Sequence, residues 1–307
     1  MSVPIAAAQP HSRIVVDDIE RLIQVDVGRR VTALFEAARG GLWSAASALA
    51  ATPSARVGLI TGFYVPLGSP PAAETDGPVG SALLAKGLAD IGISCRLATD
   101  DPCRRACAAA LEGAEAAGVP VDATDVAAMI ETWRRAGITH AISIERCGRS
   151  ADGVPRNMRG LDITSYTAPL DELFAAGPWE TIAIGDGGNE IGMGSLPREL
   201  IAQHVDHGET IACVTPAQHL IVAGVSNWGA YGLLGALAAL RSEWRERLIA
   251  CLDAKLDQAV LEATVNNGPA VDGVSRLRAM TVDNLEMAIH HSKLRQIRSL
   301  VQAGHGL

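Results

Sequence analysis

With 307 residues, 48% apolar and 20% charged, the chain can bury a large core and is too apolar for extended disorder. Its 26 Lys+Arg against 34 Asp+Glu leave a formal charge of −8, which argues against a nucleic-acid groove or an anionic membrane as partner, because both reward clustered cations. Aromatic residues make up only 4%, so no dense surface exists for stacking bases or sugars.

The first residues, MSVPIAAAQPHSR, contain no basic segment followed by an adequate apolar block and are not Arg-rich, so a cytoplasmic location is expected. Residues 17–39 place Leu22, Ile23, Val27, Val31, Leu34 and Phe35 near a 3.6 period, which predicts one helix ending at Gly40-Gly41. A second helix is predicted over 42–51, before Pro53. At RVGLIT, residues 56–61, the period changes to that of a buried strand. Further strands are predicted at 95–98, 141–144, 181–184 and 210–214, alternating with helices at 79–91, 102–117, 125–136 and 169–176. Helices at 197–204, 228–241, 245–265 and 282–303 complete the chain.

This alternation predicts an α/β fold: a mostly parallel sheet flanked by helices in three layers, with N-terminal and C-terminal helical additions. Residues 1–55 are expected as a helical segment packed on an α/β domain spanning 56–307, the whole forming one globular unit. The longest weakly polar stretch, 229–240, is too short to cross a bilayer. Its small residues suit helix packing, within the chain or in a homo-oligomer. Six cysteines without a CxxC pair predict reduced, structural thiols.

Two connections, 62–78 and 145–160, are long, polar and rich in Gly and Pro. Both follow strands, and in open parallel sheets the carboxyl ends of strands face the ligand crevice. The sharpest segment is IAIGDGGNEIGMG at 182–194, a strand running into a glycine-rich bend. It has neither GxGxxG nor the Walker spacing, so no nucleotide cofactor is expected. Asp186 and Glu190 lie inside the bend, and two carboxylates about 4 Å apart repel by roughly 4 kcal/mol at an effective dielectric of 20. The bend therefore asks for a cation, and a hard divalent ion with oxygen ligands meets that demand. The bland alternative is that Asp186 caps a following helix and Glu190 lies in its first turn.

The loop PPAAETDGP at 70–78 contributes Glu74, Thr75 and Asp76, of which Thr75 or Asp76 could cap the helix beginning near Pro78. If the strand ending at Thr61 lies beside the one ending at Gly185, Glu74 and Asp76 enter the same crevice. Glu145 ends another strand, and Arg146, Arg149, Arg156 and Arg159 follow it as a candidate anion clamp. Ser226 or Asn227 could cap a helix or donate to a substrate, and Asp272 sits on a turn. No zinc signature and no GxSxG elbow are present.

The blocks AAETDGP (72–78), ERCGRSADG (145–153), GDGGNEIGMG (185–194), AGVSNWGAYGL (223–233) and VDGV (271–274) occur in one order. Together they resemble the D-glutamate cyclase family, in particular its C-terminal catalytic-type domain. The resemblance implies a lyase that closes D-glutamate to 5-oxo-D-proline with loss of water. The side-chain types could support that chemistry with a divalent metal (Mg, Mn or Ca) held by Asp76, Asp186 and Glu190, with Glu145, Asp186 and Glu190 as the catalytic set and Glu145 accepting a proton. Arg146, Arg149, Thr75, Asn189, Ser226 and Asn227 would then contact the small-molecule substrate, Arg146 or Arg149 gripping its α-carboxylate. Two other readings suit the same side chains: a metal-dependent hydrolase of a small phosphorylated compound, and a non-catalytic small-molecule sensor.

Overall fold

The computed structural model describes residues 10–52 and 54–304. The first nine residues, which carry most of the stretch read for a targeting signal, lie outside them. Among the described residues no helix is long and apolar enough to cross a membrane.

Three helices open the chain: α1 (Pro10–Ile23), α2 (Thr32–Ala37) and α3 (Gly41–Ala50). Strand β1 (Arg56–Ile60) leads into a long connection that folds back as an antiparallel ladder of β2 (Tyr64–Val65) and β3 (Ala72–Ala73) before α4 (Pro78–Asp90). Then come β4 (Ser94–Ala98), α5 (Asp101–Gly113), the two-residue β5 (Val121–Asp122) and α6 (Val126–Ala136). They are followed by β6 (His140–Ile144), α7 (Leu170–Ala175), β7 (Glu180–Gly185), α8 (Arg198–His204), α9 (Gly208–Ile211) and β8 (His219–Val222). Helices α10 (Ser226–Leu240), α11 (Arg245–Cys251) and α12 (Ala254–Asn266), a hairpin of β9 (Thr281–Val282) and β10 (Leu285–Glu286), and α13 (Met287–Ala303) close the molecule.

Six strands pair in parallel in the order β5-β4-β1-β6-β7-β8. Strand β1 therefore feeds one wing and β6 the other, which makes the gap between them the topological switch point of a doubly wound sheet. Alternation along the strands splits the core in two. Val57, Leu59, Ile182 and Ile184 face a layer built from α1, α3, α4, α5, α10, α12 and α13, while Ile60 and Ala183 face α2, α6, α7 and α8. Both faces are covered, as a parallel sheet requires, giving the expected three-layer α/β fold.

Several elements differ from the sequence expectation, each for a local reason. The helix expected over 17–39 is broken between α1 and α2, because the Asp26 carboxylate accepts the amides of Gly28, Arg29 and Arg30 at 2.8, 2.8 and 3.2 Å. A short acidic side chain thus competes with the helical ladder. The strand expected at 210–214 does not form. Thr210 and Ile211 belong to α9, and the backbone amides of Cys213 and Val214 bond Gly188 and Arg149, tying two loops together. The sixth sheet strand is β8 instead, a reminder that short apolar runs are ambiguous. The helix expected over 245–265 is interrupted where Asp253 caps α12 by accepting from Lys255 and Leu256. The one expected over 282–303 starts late, because Asp283 (φ +54°) and Asn284 (φ +59°) form a hairpin turn of the kind that takes two left-handed residues.

All six cysteines are buried and free. Helix α10 is buried from Ser226 to Ala239 against other helices of the same chain, so its small residues serve internal packing.

Candidate active site

The register sets Ile60 beside Ser143 and Ile144 beside Ile184, so the chain leaves β1, β6 and β7 at one edge of the sheet. Glu145 emerges directly from β6 and Asp186 directly from β7. Glu74 and Asp76 return from the excursion that follows β1. Strand β6 lies between β1 and β7, and the three loops meet in one crevice at the switch point, where this architecture places ligands. A cavity of about 350 Å³ opens there, within the range of small-molecule sites. Arg29, Glu74, Glu145, Asn157, Arg159 and Asp283 give its wall polar character, and Phe63, Tyr64 and Met158 supply apolar surface.

Beneath the cavity, α4 and α10 start side by side and cap one another. Asp76 accepts the amides of Ser226 (3.0 Å) and Asn227 (2.8 Å), and Asn227 Oδ1 accepts those of Gly77 (2.9 Å) and Gly80 (2.7 Å). Asn227 is thus a cap for α4, and Asp76 caps α10, the reverse of the assignment suggested by chain order. Asp186 also accepts the Ser226 amide at 3.2 Å, which places two carboxylates at the positive end of a 15-residue helix. The Ser226 hydroxyl donates to Glu145 at 2.5 Å, so it orients an acid and is not free to donate to a substrate. Gly77 (φ +91°) makes this convergence possible: a Cβ there would lie 2.9 Å from Glu145 Cβ.

The break between α1 and α2 delivers Arg29 to this acidic group. Its guanidinium donates to Asp186 at 2.5 Å and pairs with Asp283 at 2.8 Å, and the side chain is 17% exposed. Desolvation pushes its pKa down, yet Asp186, Asp283, Glu145 and Asp76 outweigh it and hold the pKa well above the usual value. The acids respond in the opposite sense. Burial, reinforced by neighbouring carboxylates, pushes Glu74 and Glu145 well above the ordinary carboxylate range, with Arg29 opposing. Burial raises Asp186 likewise, against Arg29. Asp76 is pushed up to about 7 by burial and Asp283, against Arg29 and the helix amides.

One guanidinium does not neutralise five buried acids. Asp76, Asp186 and Asp283 bring ligand atoms within 4.8 Å of one another, and Glu145, Asp186 and Glu190 do the same. Glu74 Oε1 and Asp283 Oδ2 are buried with no hydrogen-bond partner. An all-oxygen donor set with unpartnered lone pairs suits a hard divalent cation, so these acidic clusters could hold a metal.

Glu190 differs from its neighbours. Oε1 accepts the amides of Asp186 (2.9 Å) and Gly187 (2.6 Å), and Oε2 that of Gly188 (2.6 Å). No helix follows this bend; Glu190 folds it by saturating its amides. Thr75 bonds the Thr281 carbonyl, and Asn189 reaches the Arg156 carbonyl at 2.8 Å; neither lines the cavity.

Of the expected clamp on the loop after β6, Arg146 and Arg149 lie elsewhere. Arg146 is buried and pairs with Asp100 at 2.5 Å while donating to the Gly62 and Ala168 carbonyls, so it locks two loops together. Arg149 pairs with Asp171 at 3.2 Å and lines a separate cavity of about 180 Å³. The cations that do face the crevice are Arg29, hidden by the reading of 17–39 as one helix, and Arg159. Asp283 was hidden similarly inside the helix expected over 282–303. Asp272 organises this neighbourhood by accepting from the amides of Val274, Ser275 and Asn284 and from the Thr281 hydroxyl.

The family model described as D-glutamate cyclase-like, C-terminal, matches residues 19–298. The chain belongs to this D-glutamate cyclase-like family. It is similar to D-glutamate cyclase, mitochondrial, of Homo sapiens, at 35% identity over 187 residues, which cover 53% of this chain and 29% of that relative. The chain thus spans under a third of the relative's length. The family match takes in Arg29 and Asp283 together with the blocks at 72–78, 145–153, 185–194 and 223–233. The two residues that the chain-order reading left inside helices therefore lie within the matched D-glutamate cyclase-like region.

Proposed function

We propose that the protein is a D-glutamate cyclase-like hydro-lyase, closing D-glutamate to 5-oxo-D-proline. The bond formed joins the amine nitrogen to the δ-carbon, the bond broken joins that carbon to a carboxylate oxygen, and the oxygen leaves as water. The observation that carries this reading is the concentration of five buried acids around one guanidinium at the switch point, in a chain of this family.

Ring closure moves two protons, each removed from the substrate nitrogen and delivered to the oxygen that departs as water. Glu145 suits the removal. It lines the cavity, its ordinary acidity is suppressed by burial, and the Ser226 hydroxyl fixes its orientation. Its backbone holds φ +44°, a conformation that costs energy for a non-glycine residue, and its Cβ packs against Gly77. Glu74 lines the same wall with an unpartnered oxygen and is placed to return the proton.

Asp76, Asp186 and Asp283 would hold a divalent cation, with Glu145 and Glu74 beside it. Such an ion supplies Lewis-acid polarisation of a carboxylate. Arg29 limits the charge left on Asp186 and Asp283, and the apolar wall of Phe63, Tyr64 and Met158 reduces the water available to compete. Because nitrogen and carbon belong to one molecule, holding it folded supplies a large share of the rate.

The test is incubation of purified protein with D-glutamate and Mg²⁺ or Mn²⁺, followed by detection of 5-oxo-D-proline. A panel of phosphate esters run in parallel distinguishes the hydrolase reading.

A further inference from the structure

We propose that Arg159 selects the substrate by gripping the carboxylate of an α-amino acid that takes no part in ring closure. The naming of that carboxylate rests on the cyclase reading above; the presence of a carboxylate grip does not. Of the two arginines that line the cavity, Arg29 is committed to Asp186 and Asp283. Arg159 is exposed and has no carboxylate within ion-pair distance among the described residues, although Asp206 shares the rim. Among the described residues its side chain makes one hydrogen bond, a 3.5 Å contact with the Val274 carbonyl across the opening. That length is at the limit of a hydrogen bond and is readily exchanged for a charge-assisted pair.

The backbone that carries this side chain is fixed. Asn157 Oδ1 accepts the amides of Arg159 (3.0 Å) and Leu161 (3.1 Å), and the Asn157 amide bonds the Leu161 carbonyl, closing a tight turn. Met158, next in the turn, packs so closely on the glycine-rich bend that a Cβ on Gly187 would lie 2.7 Å from its sulfur. The other arginines of this loop are occupied: Arg146 with Asp100, Arg149 with Asp171 and Arg156 with Asp152. A fixed backbone position carrying an uncommitted planar fork suits bidentate capture of a carboxylate. The wall below carries Glu74, Glu145 and Asp283, which repel a carboxylate and attract an ammonium. The cavity is therefore polarised to orient an α-amino acid, carboxylate to the rim and ammonium to the floor.

The experiment compares D-glutamate with 4-aminobutanoate, which has the same amine and reacting carboxylate but no α-carboxylate. Binding of each is measured by calorimetry, and lactam formation by NMR, in wild type, Arg159→Gln and Arg159→Lys. The expected result is a loss of roughly 10- to 100-fold in D-glutamate affinity in Arg159→Gln. The preference for D-glutamate over 4-aminobutanoate should shrink by the same factor, and Arg159→Lys should restore part of it. Unchanged D-glutamate affinity in Arg159→Gln, or an equal loss for both ligands, would overturn the proposal while leaving the cyclase reading intact. Wild-type binding that depends on Arg159 but yields no 5-oxo-D-proline would sink the cyclase reading and support the grip. If wild type binds no D-glutamate, both fall.

Discussion

Glu145 and Glu190 are both buried, and they lie at the ends of neighbouring strands in one acidic cluster, yet they are built for different work. Three backbone amides saturate Glu190, so its charge is spent holding a glycine-rich bend. Glu145 receives a single hydroxyl, opens on the cavity, and sits on a strained backbone. The lesson is that burial does not mark a chemical group; what matters is which lone pairs the fold leaves without a partner. By that measure the proposed chemistry falls to Glu145, Glu74 and Asp283, while the hydrogen bonds of Glu190 and Asp272 hold the scaffold.

The strongest way to break this comparison is to neutralise each glutamate. Glu145→Gln should lower 5-oxo-D-proline formation by about 10²- to 10⁴-fold, the usual worth of a positioned general base, with the thermal midpoint held or raised. Glu190→Gln should instead lose roughly 2–4 kcal/mol of unfolding free energy, read by urea denaturation, because a neutral amide cannot accept all three N–H groups. Were Glu190→Gln fully stable and Glu145→Gln fully active, the division of labour would be wrong.

A second test uses pH. Asp76 has its folded pKa raised from 3.8 to about 7, and Glu74, Glu145 and Asp186 are raised in the same direction. Groups shifted upward favour the folded state while protonated, so their contribution is complete below the unfolded pKa and is lost as pH rises through the folded value. The metal-free protein should therefore lose thermal stability between about pH 4 and pH 7, and a divalent cation should recover it at the upper end. A midpoint that is flat in pH, with or without Mn²⁺, would contradict the acidic cluster described above.

The smallest effect belongs to a buried acid that does not line the crevice. Asp257 accepts the Tyr231 hydroxyl at 2.5 Å and is pushed up to about 7 by burial, with that hydrogen bond opposing. By the same sign, its contribution is present below 3.8 and lost as pH rises through about 7. Asp257→Asn should flatten that part of the stability profile and leave turnover unchanged; a fall in turnover would place this acid in the reaction.

The sequence made the strand-end acids legible because apolar runs ending in Gly, Asp and Glu imply a crevice at the sheet edge. Asp76, Glu145 and Asp186 were found on that ground, and the structure brings them together. Arg29 and Asp283 were invisible for one shared reason. Each sits in an interruption, residues 24–31 for the first and the 283–284 turn for the second, where a carboxylate bonds backbone amides, Asp26 in one and Asp272 in the other, and apolar periodicity carries on across both. Gly28 in one break and Asp283-Asn284 in the other were the available signals. Arg146 and Arg149 were misread because residue type alone does not reveal a partner such as Asp100 or Asp171, which lie 46 and 22 residues away in the chain and meet them only in the fold.

The most direct single measurement is the ¹³C NMR spectrum of uniformly labelled D-glutamate incubated with wild type and with Glu145→Gln, each with Mn²⁺ replaced by Mg²⁺ for detection. The expected result is a lactam carbonyl signal growing with wild type and absent with the variant over the same period. No lactam from wild type, or equal lactam from both proteins, would contradict the claim that this crevice closes the ring.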